Sequence, residues 1–179
     1  MEFIKEAVDK KTIQKQNIGI NQFLIENNLT QIEKIVKFFN SDAPLLLVNG
    51  FMGTGKVMVV NQALSFLDES VITLRYNCFE TTILDDILLE FFDNFKRLTA
   101  QGVIQFPKAR TENFTQKINA YFDSILKPVV IVINSFEQIL KNNKQEILDF
   151  ILHISKLTNV KIVLIGRKFD YTDCGENFE

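Results

Sequence analysis

The stretch that decides the fold is Pro44-Leu-Leu-Leu-Val48, followed by Asn49 and then by Gly50-Phe51-Met52-Gly53-Thr54-Gly55-Lys56. The apolar run is typical of a central parallel strand that is covered on both faces. The second segment matches G-x-x-x-x-G-K, in which glycines let the backbone turn successive N–H groups toward an anion. A helix that begins near Lys56 would add the positive end of its dipole. This order of strand, loop and helix predicts a phosphate-binding loop (P-loop).

Three further apolar runs of strand length follow the loop, at 71–76, 128–133 and 160–165. Patterns with apolar residues three or four apart separate them and predict amphipathic helices within 59–67, 83–95, 114–125 and 147–157. Parallel strands need crossover connections, and the helices of those connections cover the faces of the sheet. The chain is therefore predicted to have an α/β fold, a three-layer sandwich with a mostly parallel sheet and helices on both faces.

The chain of 179 residues fits one compact domain with a helical lead-in. We expect the lead-in over residues 1–40, with a helix whose second half Asn28 or Thr30 caps, and the nucleotide-binding domain over 41–179. The stretch 99–110 contains Gly102 and Pro107 and is predicted to be a long loop.

Composition and charge narrow the classes of partner and the location of the protein. The formal net charge is −2, so nucleic acid stays open as a partner but is not indicated. Cys78 and Cys174 are far apart and form no metal-ligand pair or disulfide framework. The first residues lack the continuous apolar stretch of a signal peptide, and the apolar runs are too short to cross a membrane. We expect a cytoplasmic protein without a membrane partner.

Two positions depart from the usual pattern of a phosphate-binding loop that holds Mg²⁺. Val57 stands where the pattern has Ser or Thr, and Asn134 follows the run at 128–133 where a Walker B carboxylate is expected. Valine cannot bind a metal, and an amide brings no negative charge to the ion. Asn134 is left with either a water-mediated contact to the ion or a hydrogen-bonding role without metal. No protein metal ligand is predicted, and any Mg²⁺ would be weakly held.

Three segments resemble a known family. Asn134-Ser-Phe-Glu-Gln-Ile-Leu140 is similar to the D-N-F-E-Q-L-L segment of the signal-transduction ATPases with numerous domains (STAND), P-loop NTPases close to the AAA+ proteins. Lys161-Ile-Val-Leu-Ile-Gly-Arg167 looks like the family strand that ends in a sensor arginine, and Tyr76-Asn77-Cys78 also suits origin-recognition-type AAA+ proteins. The resemblance covers residues 44–168. Because the chain ends at Glu179, it also implies a core truncated before the fifth strand and the helical lid.

The resemblance implies that ATP or ADP is the ligand and that Arg167 senses its terminal phosphate. Glu137 is the candidate general base, although an acidic residue at that place also suits the first turn of a helix, and Arg167 could equally be a solvated strand end. The predicted nucleotide-binding residues are Gly50, Phe51, Met52, Gly53, Thr54, Gly55, Lys56, Val57 and Asn134.

Three functions remain open at this stage. The first is a nucleotide-dependent switch with impaired hydrolysis, which acts through a protein partner or self-association. The second is an active Mg²⁺-dependent ATPase with Glu137 as base. The third is a degenerate scaffold without nucleotide that serves protein or DNA interaction.

Overall fold

The computed structural model describes residues 22–107, 113–139 and 141–167. Predictions that concern residues 1–21, 108–112, 140 and 168–179 lie outside these ranges. The helices and strands, in chain order, are α1 (Gln22–Phe39), β1 (Leu45–Asn49), α2 (Lys56–Leu64), β2 (Ile72–Asn77), α3 (Leu84–Ala100), α4 (Phe114–Ser124), β3 (Val129–Asn134), a 3₁₀ helix (Phe136–Gln138), α5 (Lys141–Ile154) and β4 (Val160–Gly166).

The strands form one sheet with the order β1-β4-β3-β2, and every pairing is parallel. In the middle of the sheet Leu47 aligns with Leu164, and Ile131 aligns with both Ile162 and Leu74. Each predicted strand lies within one residue of its observed bounds. The α/β fold with a parallel sheet is confirmed.

Two apolar cores, one on each face of the sheet, make the three layers. Strand residues alternate between the faces, so Ile131 and Ile133 pack with α3, α4 and α5 on one side. Val130 and Val132 pack with α1 and α2 on the other side. Since both faces are covered, β3 and β4 read in the sequence as continuous apolar runs.

An aromatic cluster fills the larger core. Phe91 and Phe95 are fully buried. The ring of Phe95 stacks on Tyr121 with centroids 4.9 Å apart and meets Phe122 edge to face at 5.2 Å. Phenylalanines with helical spacing in α3 are thus part of the core, as the spacing predicts. Truncation of a buried Phe costs about 3–5 kcal/mol of the free energy of unfolding.

The prediction that β1 is a central strand is wrong for the described residues, in which β1 pairs only with β4. Helices cover both faces of β1, but its free edge borders a groove of about 520 Å³ beside α1. Leu45, Leu46, Leu47 and Val48 are consequently half-buried. An apolar run reports the cover on the two faces of a strand, and it carries no information about its lateral neighbours.

The helix boundaries also depart from the predictions. Asn28 and Thr30 lie inside α1 and cap nothing there, and α3 continues to Ala100, into the predicted loop. At the other end of the chain, Lys141 and Lys144 belong to the first turn of α5 and do not form a loop. Tertiary packing extends each of these helices beyond the segment that shows clear periodicity.

Candidate functional site at the carboxyl edge of the sheet

The carboxyl ends of the parallel strands bring three segments of the chain to one cavity. The loop after β1, the turn after β3 and the residue after β4 enclose about 250 Å³. The residues that line this cavity are Met52, Gly53, Thr54, Gly55, Lys56, Val57, Met58, Asn134, Ser135, Glu137, Gln138, Gly166 and Arg167. We call it the phosphate pocket. The structure therefore brings together nearly all of the predicted site residues, although they come from three distant parts of the sequence.

Two predicted residues lie apart from the phosphate pocket. Gly50 and Phe51 line the groove beside β1, on the other side of the loop. The side chain of Phe51 is 86% exposed. Phe51 belongs to the loop by its backbone, and its ring faces away from the phosphate pocket into solvent and the adjoining groove.

The backbone of the loop is shaped by left-handed glycines. Gly53 has φ 80° and Gly55 has φ 73°, a region that residues with a Cβ adopt only with strain. Gly55 is the N-cap of α2, and no side chain caps that end of the helix. The first N–H groups of an α-helix have no partner within the helix. The amides at Lys56 and Val57 are therefore available to an anion, and the helix dipole adds to their attraction.

Lys56 is already anchored to the loop that it serves. Its Nζ donates hydrogen bonds to the carbonyl oxygens of Gly50 and Phe51, each at 2.8 Å. These bonds fold the side chain back over the loop and hold the ammonium beside the phosphate pocket. An ammonium has three donors, so one donor remains for a phosphate oxygen.

Arg167 joins the two sides of the phosphate pocket. Its Nε lies 3.5 Å from Oε1 of Glu137, and its Nη2 donates to the sulfur of Met52 at 3.2 Å. Met52 belongs to the loop, and Glu137 belongs to the 3₁₀ helix after β3. The predicted sensor and the predicted base are thus in contact with each other.

Glu137 is held by a turn that sequence analysis missed. Ser135 has φ 58° and ψ 35°, and among the described residues other than glycine it alone has a positive φ. This left-handed residue turns the chain at the end of β3, so that Glu137 lies in the lining of the phosphate pocket. Serine gives no sequence signal for such a conformation, because it adopts positive φ far less readily than Gly or Asn.

The other carboxylate oxygen of Glu137 has an unusual environment. Oε2 is buried and has no hydrogen-bond partner among the described residues. Cys78 lies nearby and is buried, and burial together with the negative charge of Glu137 raises the pKa of its thiol to about 12. Cys78 is therefore a neutral thiol at physiological pH and cannot act as a nucleophile.

Asn134 makes a bond that sequence analysis did not identify. Its Nδ2 donates to Oδ1 of Asn77 at 3.1 Å, and the two residues are aligned across β2 and β3. Asn77 follows a buried strand, as Asn134 does, and this shared position is the signal that could have paired them. Asn134 thus takes part in a hydrogen bond between uncharged side chains at the position where a carboxylate would bind a metal.

The residues present do not fit a Mg²⁺ ion held by the protein. No group of three His, Cys, Asp or Glu side chains is placed to hold a metal within residues 22–107, 113–139 and 141–167. Val57 offers no oxygen, and Glu137 contacts Arg167. Mg²⁺ demands oxygen ligands in near-octahedral geometry. The charged side chains of the lining are Lys56, Arg167 and Glu137, which together favour an anion.

Known families and structures were compared with the chain. The family model of the AAA domain matches residues 37–172. No curated protein matches the chain in sequence. In the part of the chain that the structure describes, no helix is both long enough and apolar enough to cross a membrane.

Solved structures show the same fold at low sequence identity. The structure of Drosophila ORC bound to DNA aligns with a TM-score of 0.59 and 15% identity, over 93% of this chain and 43% of that one. The chain thus spans less than half the length of this relative. Caenorhabditis elegans PCH-2 aligns with a TM-score of 0.38 and 13% identity, over 84% of this chain and 39% of that chain. A DnaB-like replicative helicase aligns with a TM-score of 0.37 and 9% identity, over 94% and 61%.

Proposed function

The chain belongs to the AAA domain family, and from this premise we propose that it is an ATP- or ADP-binding switch with impaired hydrolysis. The observation that carries the proposal is the phosphate pocket itself. It combines an uncapped helix end, two left-handed glycines and the ammonium of Lys56 in one cavity with the guanidinium of Arg167. A polyphosphate is the ligand that this set of donors and charges complements best.

The proposal of impaired hydrolysis rests on Val57, Asn134 and Glu137. Phosphoryl transfer needs both a positioned nucleophile and stabilisation of charge on the transferred group. Val57 and Asn134 supply no charged ligand for Mg²⁺, and Glu137 is paired with Arg167 at 3.5 Å, so it is not free to orient water. Nucleotide binding therefore depends on the loop, Lys56 and Arg167, and little on the metal.

The role as a switch rests on the contacts that cross the phosphate pocket. Arg167 ties the loop to the 3₁₀ helix, and a ligand that recruits Arg167 would change both segments. Phe51 and Met52, at the tip of the loop, are 86% and 75% exposed. We propose that this apolar tip passes the state of the loop to a protein partner or a second copy, in the cytoplasm. The STAND subgroup, with a lid beyond the sensor strand, fits the same proposal.

Thermal unfolding tests nucleotide binding directly. Ligand at 100 times its dissociation constant adds about 2.7 kcal/mol to the free energy of unfolding. For a chain of this size that corresponds to a rise in Tm of about 5–10 °C. The measurement compares ADP and ATP at millimolar concentration, each with EDTA or with MgCl₂.

Two variants make the thermal assay specific. Lys56→Ala should abolish most of the rise, whereas Lys156→Ala removes an exposed lysine near the start of β4, at the opposite edge of the sheet, and should leave it unchanged. Wild-type Tm that does not respond to any nucleotide would favour the scaffold without nucleotide.

An active ATPase is the second candidate, and the position of Glu137 in the lining of the phosphate pocket favours it. Release of inorganic phosphate from ATP, with and without Mg²⁺, separates the two candidates. The switch predicts turnover no faster than that of Glu137→Gln, since in that case Glu137 contributes nothing to the chemistry. Mg²⁺-dependent turnover that Glu137→Gln abolishes would establish the ATPase.

A further inference from the structure

The contacts of Arg167 are both of a kind that a phosphate can replace. Its Nε is 3.5 Å from one carboxylate oxygen of Glu137, longer than a well-formed charge-assisted hydrogen bond. Its Nη2 donates to the thioether of Met52, which is a weak acceptor. The Arg167 side chain is 54% exposed, so it is free to change partners within the phosphate pocket.

Glu137 is only partly compensated by this pairing. Its Oε1 faces Arg167, while its Oε2 is buried without a hydrogen-bond partner in the described part of the chain. A terminal phosphate offers Arg167 more negative charge than one carboxylate, and it accepts bidentate hydrogen bonds from a guanidinium. Arg167 therefore gains by exchanging Glu137 for a phosphate, and the exchange must first break the existing pair.

From these contacts we infer that Glu137 sets the preference of the site between tri- and diphosphate nucleotides by competing with the terminal phosphate for Arg167. The inference rests on the proposed function. A diphosphate that is held by the loop and Lys56 leaves the pair of Glu137 and Arg167 intact. A triphosphate that extends to Arg167 breaks this pair, and it also releases the contact between Arg167 and Met52 of the loop.

A double-mutant cycle on the full chain tests the exchange. Dissociation constants of ATP and ADP are measured by calorimetry in EDTA for the wild type, Glu137→Gln, Arg167→Gln and the double variant. Breaking a partly exposed ion pair corresponds to about a two- to fivefold change in affinity. Glu137→Gln should therefore bind ATP about two- to fivefold more tightly than the wild type, with ADP unchanged.

The Arg167→Gln background distinguishes exchange from plain repulsion. If Glu137 acts by holding Arg167, the gain from Glu137→Gln disappears when Arg167 is Gln. If Glu137 merely repels the phosphates, the gain persists or grows in that background, and the inference is overturned. Glu146→Gln removes an exposed carboxylate on α5 and serves as the matched control, with no expected change for either nucleotide.

The inference and the proposed function fail in different ways. If ATP and ADP bind with an affinity that depends on Lys56 but Glu137→Gln changes neither or changes both equally, the exchange is wrong and the nucleotide site stands. If the wild type binds neither nucleotide, the proposed function fails and the inference falls with it. Far-ultraviolet circular dichroism confirms that each variant is folded before titration.

Discussion

Lys56 and Lys161 make the same kind of bond at opposite ends of neighbouring strands. Lys56 follows the loop beyond the carboxyl end of β1, and its Nζ donates to the carbonyl oxygens of Gly50 and Phe51. Lys161 lies at the amino end of β4, and its Nζ donates to the carbonyl oxygens of Ser41 and Ala43. Each lysine thus fastens a segment next to β1 through two backbone carbonyls.

Their surroundings make one lysine structural and leave the other available to a ligand. Lys161 is 5% exposed and its ammonium lies 5.4 Å from the centre of the Phe38 ring. Burial lowers the pKa of Lys161. Lys56 is half-buried and lines a cavity that also contains Arg167 and the free end of α2. The comparison teaches that access to a cavity decides whether such a lysine binds a ligand.

The largest expected effect is on nucleotide affinity in Lys56→Ala. Loss of one charged hydrogen-bond donor to phosphate should weaken ATP and ADP binding by about 10- to 100-fold. The free energy of unfolding should change little, because the loop that Lys56 fastens is exposed. Calorimetric titration and urea unfolding of the same preparation check both halves. A loss of stability that matches the loss of affinity would remove the contrast between the two lysines.

The reciprocal effect is expected in Lys161→Met. The substitution leaves the carbonyl oxygens of Ser41 and Ala43 without this donor and should lower the free energy of unfolding by about 1–2 kcal/mol. Nucleotide affinity should stay at the wild-type value, since the phosphate pocket lies at the other edge of the sheet. Urea unfolding measures the first and calorimetry the second, with Lys156→Ala as a control for the loss of an exposed lysine. Unchanged stability would mean that these carbonyls find water equally well.

A smaller effect should follow when the metal ligands are restored. Val57→Thr combined with Asn134→Asp adds a hydroxyl and a carboxylate where Mg²⁺ is expected beside the phosphates. The ratio of ATP affinities in MgCl₂ and EDTA should be near one in the wild type and rise several-fold, about five, in the double variant. If the ratio is the same in both proteins, the two departures do not explain weak metal dependence.

The smallest effect is the pH dependence of Lys161. Its pKa in the folded chain lies below the ordinary 10.5, so in the window between these values the unfolded chain binds more protons. The free energy of unfolding contributed by Lys161 should therefore rise with pH up to 10.5 and be constant below the folded pKa. The measurement is the difference between wild type and Lys161→Met from pH 8 to 10.5. The raised pKa of Cys78 acts with the opposite sign in both proteins and cancels in this difference.

Much of the fold follows from sequence periodicity, and the elements that fail show why. The runs around Leu47 and Ile131 predict strands because buried parallel strands are apolar on both faces. The same runs say nothing about strand order, so β1 was predicted as central although it lies at an edge of the described sheet. Asn28 and Thr30 look like helix caps but lie inside α1, since packing of the helix against α2 overrides a local preference.

The candidate site divides in the same way. The conformation of Gly53 and Gly55 and the place of Lys56 follow from a local pattern, because a loop between a strand and a helix is built from consecutive residues. The contact between Glu137 and Arg167 joins residues on different segments, and it depends on the left-handed turn at Ser135 and on the pairing of β3 with β4. No local pattern encodes either condition.

By itself, then, the sequence determined the α/β class, the four described strands and the phosphate-binding loop, because each depends on the period or spacing of neighbouring residues. The tertiary structure alone decided that β1 borders an open groove, that Asn134 bonds Asn77, and that Arg167 holds Glu137 across the phosphate pocket. These contacts join residues far apart in the chain, and they exist only once the strands have taken their order in the sheet.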